Sequence, residues 1–118
     1  MKSTNESLFL PDTCLIIEDH PHSMEFLSSW VSRNYPSSQI FKMTDVSSSL
    51  QWIEKNKKQG QRSRLLAVID LGLPDGSGIE IIQQVSGNFP ESQIVVVSII
   101  EDDETIFQAL QAGAYGYI

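Results

Sequence analysis

Residues 67–78 read AVIDLGLPDGSG. The stretch begins as the end of an apolar run, Leu65–Ile69, stops on the acid Asp70, and then turns on Pro-Asp-Gly-Ser-Gly. A short, continuous aliphatic run bounded by polar and turn residues is the pattern of a parallel strand buried on both faces. Such a strand ending on a carboxylate presents that group at the sheet edge, where the chain leaves the core.

Working outward, Cys14–Ile17 and Ile94–Val97 are runs of the same kind. Gln39–Met43 mixes polar and apolar residues and suits an edge strand. Between the runs lie stripes at helical spacing. They are Phe26, Leu27, Trp30 and Val31; Val46, Leu50 and Ile53; Ile79, Ile82, Val85 and Phe89; and Ile106, Ala109, Leu110 and Gly113. The aromatic residues of these stripes are expected in the core. Ser77 and Glu80 have the spacing of a capping box at the start of the third helix. Asp102 to Glu104 place negative charge on the first turn of the fourth. Asn34-Tyr-Pro36 and Asn88-Phe-Pro90 close the first and third.

The order is βαβαβαβα, and Tyr115–Ile118 begins a fifth strand. This alternation predicts an α/β fold: a doubly wound parallel five-stranded sheet with right-handed crossovers and helices on both faces. Residues 13–118 read as one domain behind an N-terminal extension, 1–12. The chain stops with the fifth strand barely begun and no helix after it, which reads as a fragment.

The 118 residues make one domain, and 41% hydrophobic content is enough for a packed core. No apolar run reaches membrane-spanning length, and the N-terminus lacks the features of a secretory signal, so a cytoplasmic location without membrane contact is expected. The net charge of −7 argues against direct nucleic-acid binding. The lone Cys14, in an apolar stretch, reads as a small hydrophobe. Five of the eight basic residues fall between Lys55 and Arg64 and read as a solvated helix end and loop rather than a docking patch.

Ligands of parallel α/β sheets bind beyond the carboxyl ends of the strands. Strand one ends in Glu18-Asp19, strand three in Asp70 and strand four in Ser98. Three like charges at one edge repel unless a cation intervenes. The donors are hard oxygens, which favours Mg²⁺. A carboxylate beside such an ion suits phosphoryl transfer, with the carboxylate as nucleophile. Asp19 alone could be a helix cap, but three acids at neighbouring strand tips are poorly explained as caps. His20 and His22, flanking Pro21, read as surface residues.

These residues resemble the receiver domain of two-component response regulators. CLIIEDHP is similar to that family's first strand with its acidic pair, and AVIDLGLPDGSGIE to its phosphoacceptor strand and following turn. IVVVSIIEDD is similar to its fourth strand, and ALQAGAYGYI to the approach to its fifth. The EDHP and GAYGY wording is nearest to regulators with a C-terminal helix-turn-helix output domain. The resemblance implies strand order 2-1-3-4-5 and phosphorylation of Asp70 by a partner histidine kinase. It implies that Asp19 binds Mg²⁺ directly, Glu18 assists through water, and the Gly72 backbone carbonyl is a further ligand. Ser98 would be the switch hydroxyl and Tyr117 the aromatic that follows it, altering the surface of the fourth helix and fifth strand. DNA would be reached only through an output domain outside this chain. The family's phosphoryl-pairing lysine would fall two residues past Ile118, and its fifth helix beyond that. Apolar surface left open there would favour self-association. A receiver homodimer is therefore among the expected partners, although a dimer of the fragment alone would not establish a natural one.

Three other readings compete. A haloacid dehalogenase-like phosphatase needs a D-x-D pair, and the second position here is Gly72. A flavodoxin-like flavin binder needs a hydroxyl-rich phosphate loop where this chain has Glu-Asp-His-Pro. A pseudo-receiver, an interaction module that signals without phosphorylation, would not need Asp19, Asp70 and Ser98 together.

Overall fold

A computed structural model describes residues 9–60, 62–97 and 103–114, together with the backbone of 116–117. The main sheet has five parallel strands: β1 (Thr13–Ile17), β2 (Gln39–Met43), β3 (Leu65–Ile69), β4 (Ser92–Val96) and β5 (Gly116–Tyr117). Their spatial order is β2-β1-β3-β4-β5, the order that the resemblance implies. The helices are α1 (Pro21–Asn34), α2 (Val46–Asn56), α3 (Gly78–Asn88) and α4 (Asp103–Ala112). No helix among the described residues is long and apolar enough to cross a membrane.

The register is flush. Ile17 lies opposite both Met43 and Ile69, and Ile69 lies opposite Val96. The residues that follow each strand therefore emerge at one level, and the sheet edge is a shelf.

Alternating side chains divide the core. On one face, Leu15, Ile17, Leu65, Ala67, Ile69, Ile94 and Val96 meet Trp52 and Ile53 of α2, Ile81, Ile82 and Val85 of α3, and Ala109 of α4. On the other, Cys14, Ile16, Leu66 and Val68 meet Met24 and Val31 of α1, with Phe9 packed against them. Every residue of β3 is buried. Each large aliphatic side chain taken fully from water contributes about 1.5–3 kcal/mol. That burial is what holds the strand bearing Asp70 in place.

The first and third helices end where the sequence suggests. Asn34, Asn56 and Asn88 each donate a side-chain N–H to the carbonyl four residues back, at 2.7–2.8 Å, a second bond to a carbonyl in the last turn. Ser77 caps α3 by accepting from the Ile79 N–H at 3.1 Å. Among the described residues no bond returns from Glu80 to the Ser77 N–H, so the box is half formed.

Several expectations change. Phe26 and Trp30 are not core residues: they are 66% and 42% exposed. The face of α1 that meets the sheet carries Met24, Leu27 and Val31, and Phe26 and Trp30 lie around the helix from it. Trp52 and Ile81 join the core instead. β4 begins at Ser92, two residues before its apolar run. Gly113 is not part of the α4 stripe but terminates the helix at φ +125°, in the left-handed region that glycine tolerates. Before β1, Pro11 is buried and Asp12 exchanges backbone bonds with Arg64 and Gln39.

Candidate functional site

The shelf beyond β1 and β3 is fixed by main-chain bonds that continue the sheet. The Glu18 N–H donates to the Met43 carbonyl at 3.0 Å, the Asp70 N–H to Ile17 at 2.9 Å and the Val97 N–H to Ile69 at 3.0 Å. Glu18 and Asp70 therefore leave adjacent strands side by side.

Glu18 is the most enclosed of the acids, at 4% exposure, while Asp19 and Asp70 are half-buried. One Glu18 oxygen, Oε2, accepts from the His20 N–H at 3.1 Å. Burial pushes the Glu18 carboxyl above its ordinary range; the charge and contact of Asp70 and the charge of Asp19 act in the same direction, and the His20 N–H opposes them. Asp70 Oδ1 accepts from the Gly72 N–H at 3.0 Å. Asp19 Oδ1 is buried and has no hydrogen-bond donor among the described residues. The cap of α1 is His20, whose side chain makes no capping bond, and Pro21 opens the helix. Asp19 is thus not spent on capping, which removes the structural explanation for its position.

A buried acceptor without a donor, beside a carboxyl crowded by two others, lacks positive charge. A divalent cation would supply it, and the carboxylate oxygens fit Mg²⁺. Ligand atoms of Glu18, Asp19 and His20 lie within 4.8 Å of one another. His20, read from the sequence as a surface residue, is exposed but close enough to share the site.

The structure thus brings Glu18, Asp19 and Asp70 together. Gly72 touches the site through its N–H; the role that the resemblance implies is for its carbonyl. Tyr117 lies on β5 opposite Val96, its side chain outside the described residues. Ser98 lies outside the described residues altogether.

The turn after Asp70 holds a feature the sequence reading missed. Gly72–Leu73 and Gly76–Ser77 pair as a two-residue antiparallel ribbon. Asp75, at its tip, reaches the start of α2. Its Oδ1 accepts from the Val46 N–H at 2.7 Å and its Oδ2 from the Ser47 N–H at 3.0 Å. Pro-Asp-Gly signals a turn, but nothing in it names a partner 29 residues away.

The family model of the response regulator receiver domain matches residues 14–118. The chain belongs to this family. The receiver is 29% identical over 105 residues to the glycerol metabolism activator of Pseudomonas putida, covering 88% of this chain and 45% of that protein. It is 31% identical over 77 residues to the oxygen regulatory protein NreC of Staphylococcus epidermidis, covering 64% of this chain and 35% of that protein. The chain thus spans less than half the length of these curated relatives. A response regulator receiver domain from Rhodospirillum rubrum superposes with a TM-score of 0.78 at 27% identity, covering 90% of this chain and 78% of that one.

Proposed function

We propose that this receiver accepts a phosphoryl group on Asp70 from the phosphohistidine of a partner histidine kinase, beside a bound Mg²⁺. The observation that carries the reading is Asp19 Oδ1, a buried acceptor without a donor, next to Glu18 and Asp70. Asp19 would bind the ion directly and Glu18 through water, with Asp70 and the Gly72 carbonyl completing the protein ligands. Bound there, Mg²⁺ supplies positive charge that offsets the phosphoryl oxygens.

An Asp70 carboxylate oxygen attacks phosphorus. The P–N bond to the donor imidazole breaks, its electron pair stays on the ring nitrogen, and an aspartyl phosphate results. The Gly72 N–H holds the Asp70 carboxylate, and the buried β3 behind it limits recoil. Ser98 would donate to a phosphoryl oxygen, and Tyr117 would follow it, changing the surface of α4 and β5.

The domain, residues 13–118, would then signal from the cytoplasm to an output domain that regulates transcription. The activator and regulator names of its relatives support that role. DNA would be reached through the output domain, since this domain is acidic. Intact-protein mass after incubation with acetyl phosphate tests the acceptor. A gain of one phosphoryl group that needs Mg²⁺ and vanishes in Asp70→Asn is expected. No gain in a chain extended through the family's fifth strand and helix would refute the reading.

A further inference from the structure

We infer that Asp75 is a positioning residue: its carboxylate pins the turn after Asp70 to the start of α2 and so sets the geometry of the acidic pocket. The inference rests on the reading of that pocket as a cation site and names a residue that touches neither cation nor phosphoryl group.

The start of a helix leaves its first N–H groups without partners inside the helix. At α2 those of Val46 and Ser47 go to Asp75, and that of Ser48 goes to Asp45 Oδ1 at 2.8 Å. The Ser49 N–H reaches the Asp45 carbonyl at 3.3 Å and begins the regular pattern. Asp45 is the local cap, one residue before its helix. Asp75 is not local. Two bonds from one carboxylate fix its direction as well as its distance, and the helix dipole favours its charge there.

What Asp75 fixes is the ribbon. Gly72 pairs with Ser77 and Leu73 with Gly76, so the tip at Asp75 and the base at Gly72 form one small unit. The base donates the Gly72 N–H to Asp70. The other end of the clamp runs through α2 to β2, whose last residue, Met43, accepts from the Glu18 N–H. Hydrogen bonds and two short backbone segments, 43–46 and 72–75, thus connect Asp70 to Glu18 by a route around the outside of the pocket. Removing Asp75 opens that route at one point and deletes no pocket side chain.

The test compares Asp75→Ala with Asp45→Ala. Both remove a carboxylate that caps α2, and only the first releases the ribbon. Mg²⁺ titration and amide exchange in the metal-free protein are read for both. Outer partners of metal ligands typically contribute tenfold or more to affinity. Asp75→Ala is expected to weaken Mg²⁺ binding about tenfold and to speed exchange at Gly72 selectively. Asp45→Ala should leave both near wild type, and Asp75→Asn, which keeps one acceptor oxygen, should recover part of the loss. Equal effects from the two alanine variants, or wild-type Mg²⁺ affinity and Gly72 exchange in Asp75→Ala, would overturn the inference. Failure of the wild-type chain to bind Mg²⁺ would instead overturn the reading of the pocket, and Gly72 exchange would still decide whether the clamp exists.

Discussion

Adding one methyl group at Gly78 should damage both stability and phosphorylation. Gly78 is the first residue of α3, and its N–H donates to the Leu71 carbonyl at 3.1 Å. A Cβ there would lie 2.6 Å from the Asp70 carbonyl oxygen, 2.9 Å from Ile69 Cγ2 and 3.1 Å from Leu71 Cα. Ordinary contact begins near 3.4 Å, so the Asp70 backbone must yield by about 0.8 Å. In an unobstructed helix, alanine in place of glycine stabilises by about 0.4–1 kcal/mol. Overpacking of this kind costs about 1–3 kcal/mol, so the clash should win. The net loss should be about 1–2 kcal/mol, or roughly 4–8 °C in Tm. Gly87 supplies the control within the same helix, because its Cβ would meet nothing within 4 Å. Gly87→Ala should raise Tm by about 2–4 °C. A shift near 1 Å at a reacting group can cost about 100-fold in rate. Gly78→Ala should therefore label from acetyl phosphate at least about tenfold more slowly than wild type when both are fully folded. A Gly78→Ala protein as stable as Gly87→Ala and labelled at the wild-type rate would refute the argument that this close approach holds Asp70.

The burial pattern and the acidic pocket give further expectations. Mg²⁺ at 100 times its Kd should raise stability by about 2.7 kcal/mol in a denaturant titration, and Asp19→Asn should abolish most of that gain. Phe89→Ala, in the stack with Trp52, should cost about 3–5 kcal/mol, whereas Phe26→Ser on the exposed face of α1 should stay within about 0.5 kcal/mol. Burial pushes the Cys14 thiol up to about 12 from 9.0. The folded state therefore keeps its proton where the unfolded chain loses it, and stability should fall as pH rises from about 9 towards 12. Cys14→Ala should flatten that slope, and a thiol reagent at pH 8 should label Cys14 only on unfolding.

The order of elements and the convergence of three acids are legible in the sequence for one reason. A strand buried on both faces leaves little freedom in its pattern, and the residue after its last apolar position must lie at the edge. Leu65–Ile69 followed by Asp70 is the clearest case. Helical stripes are weaker evidence. Phe26, Leu27, Trp30 and Val31 span a wide arc of α1, and which part faces the sheet depends on packing rather than period. Trp52 is core because it stacks on Phe89, a neighbour 37 residues away in the chain. The Asp75 clamp was hidden for the same reason. Its chemistry is that of an ordinary cap, but its helix belongs to another part of the chain. The half-formed capping box at Ser77 shows the converse: the residues and spacing are present, and the geometry uses one of the two bonds.

The flush register of β1, β2, β3 and β4 gives the two ends of the sheet unequal tolerance of change. At the pocket end, chain length is quantised. Removing one residue from β1 would bring Asp19 to the place of Glu18 and exchange the faces of the side chains between the deletion and that tip. At the other end, some 16 Å away for a five-residue strand, the chain enters β3 through the exposed basic segment around Lys58 and Arg62. Lengthening that entrance alters no strand tip. Beside exposed Arg62, this entrance is a place where a tag, a probe or an inserted loop is expected to leave the acids unmoved.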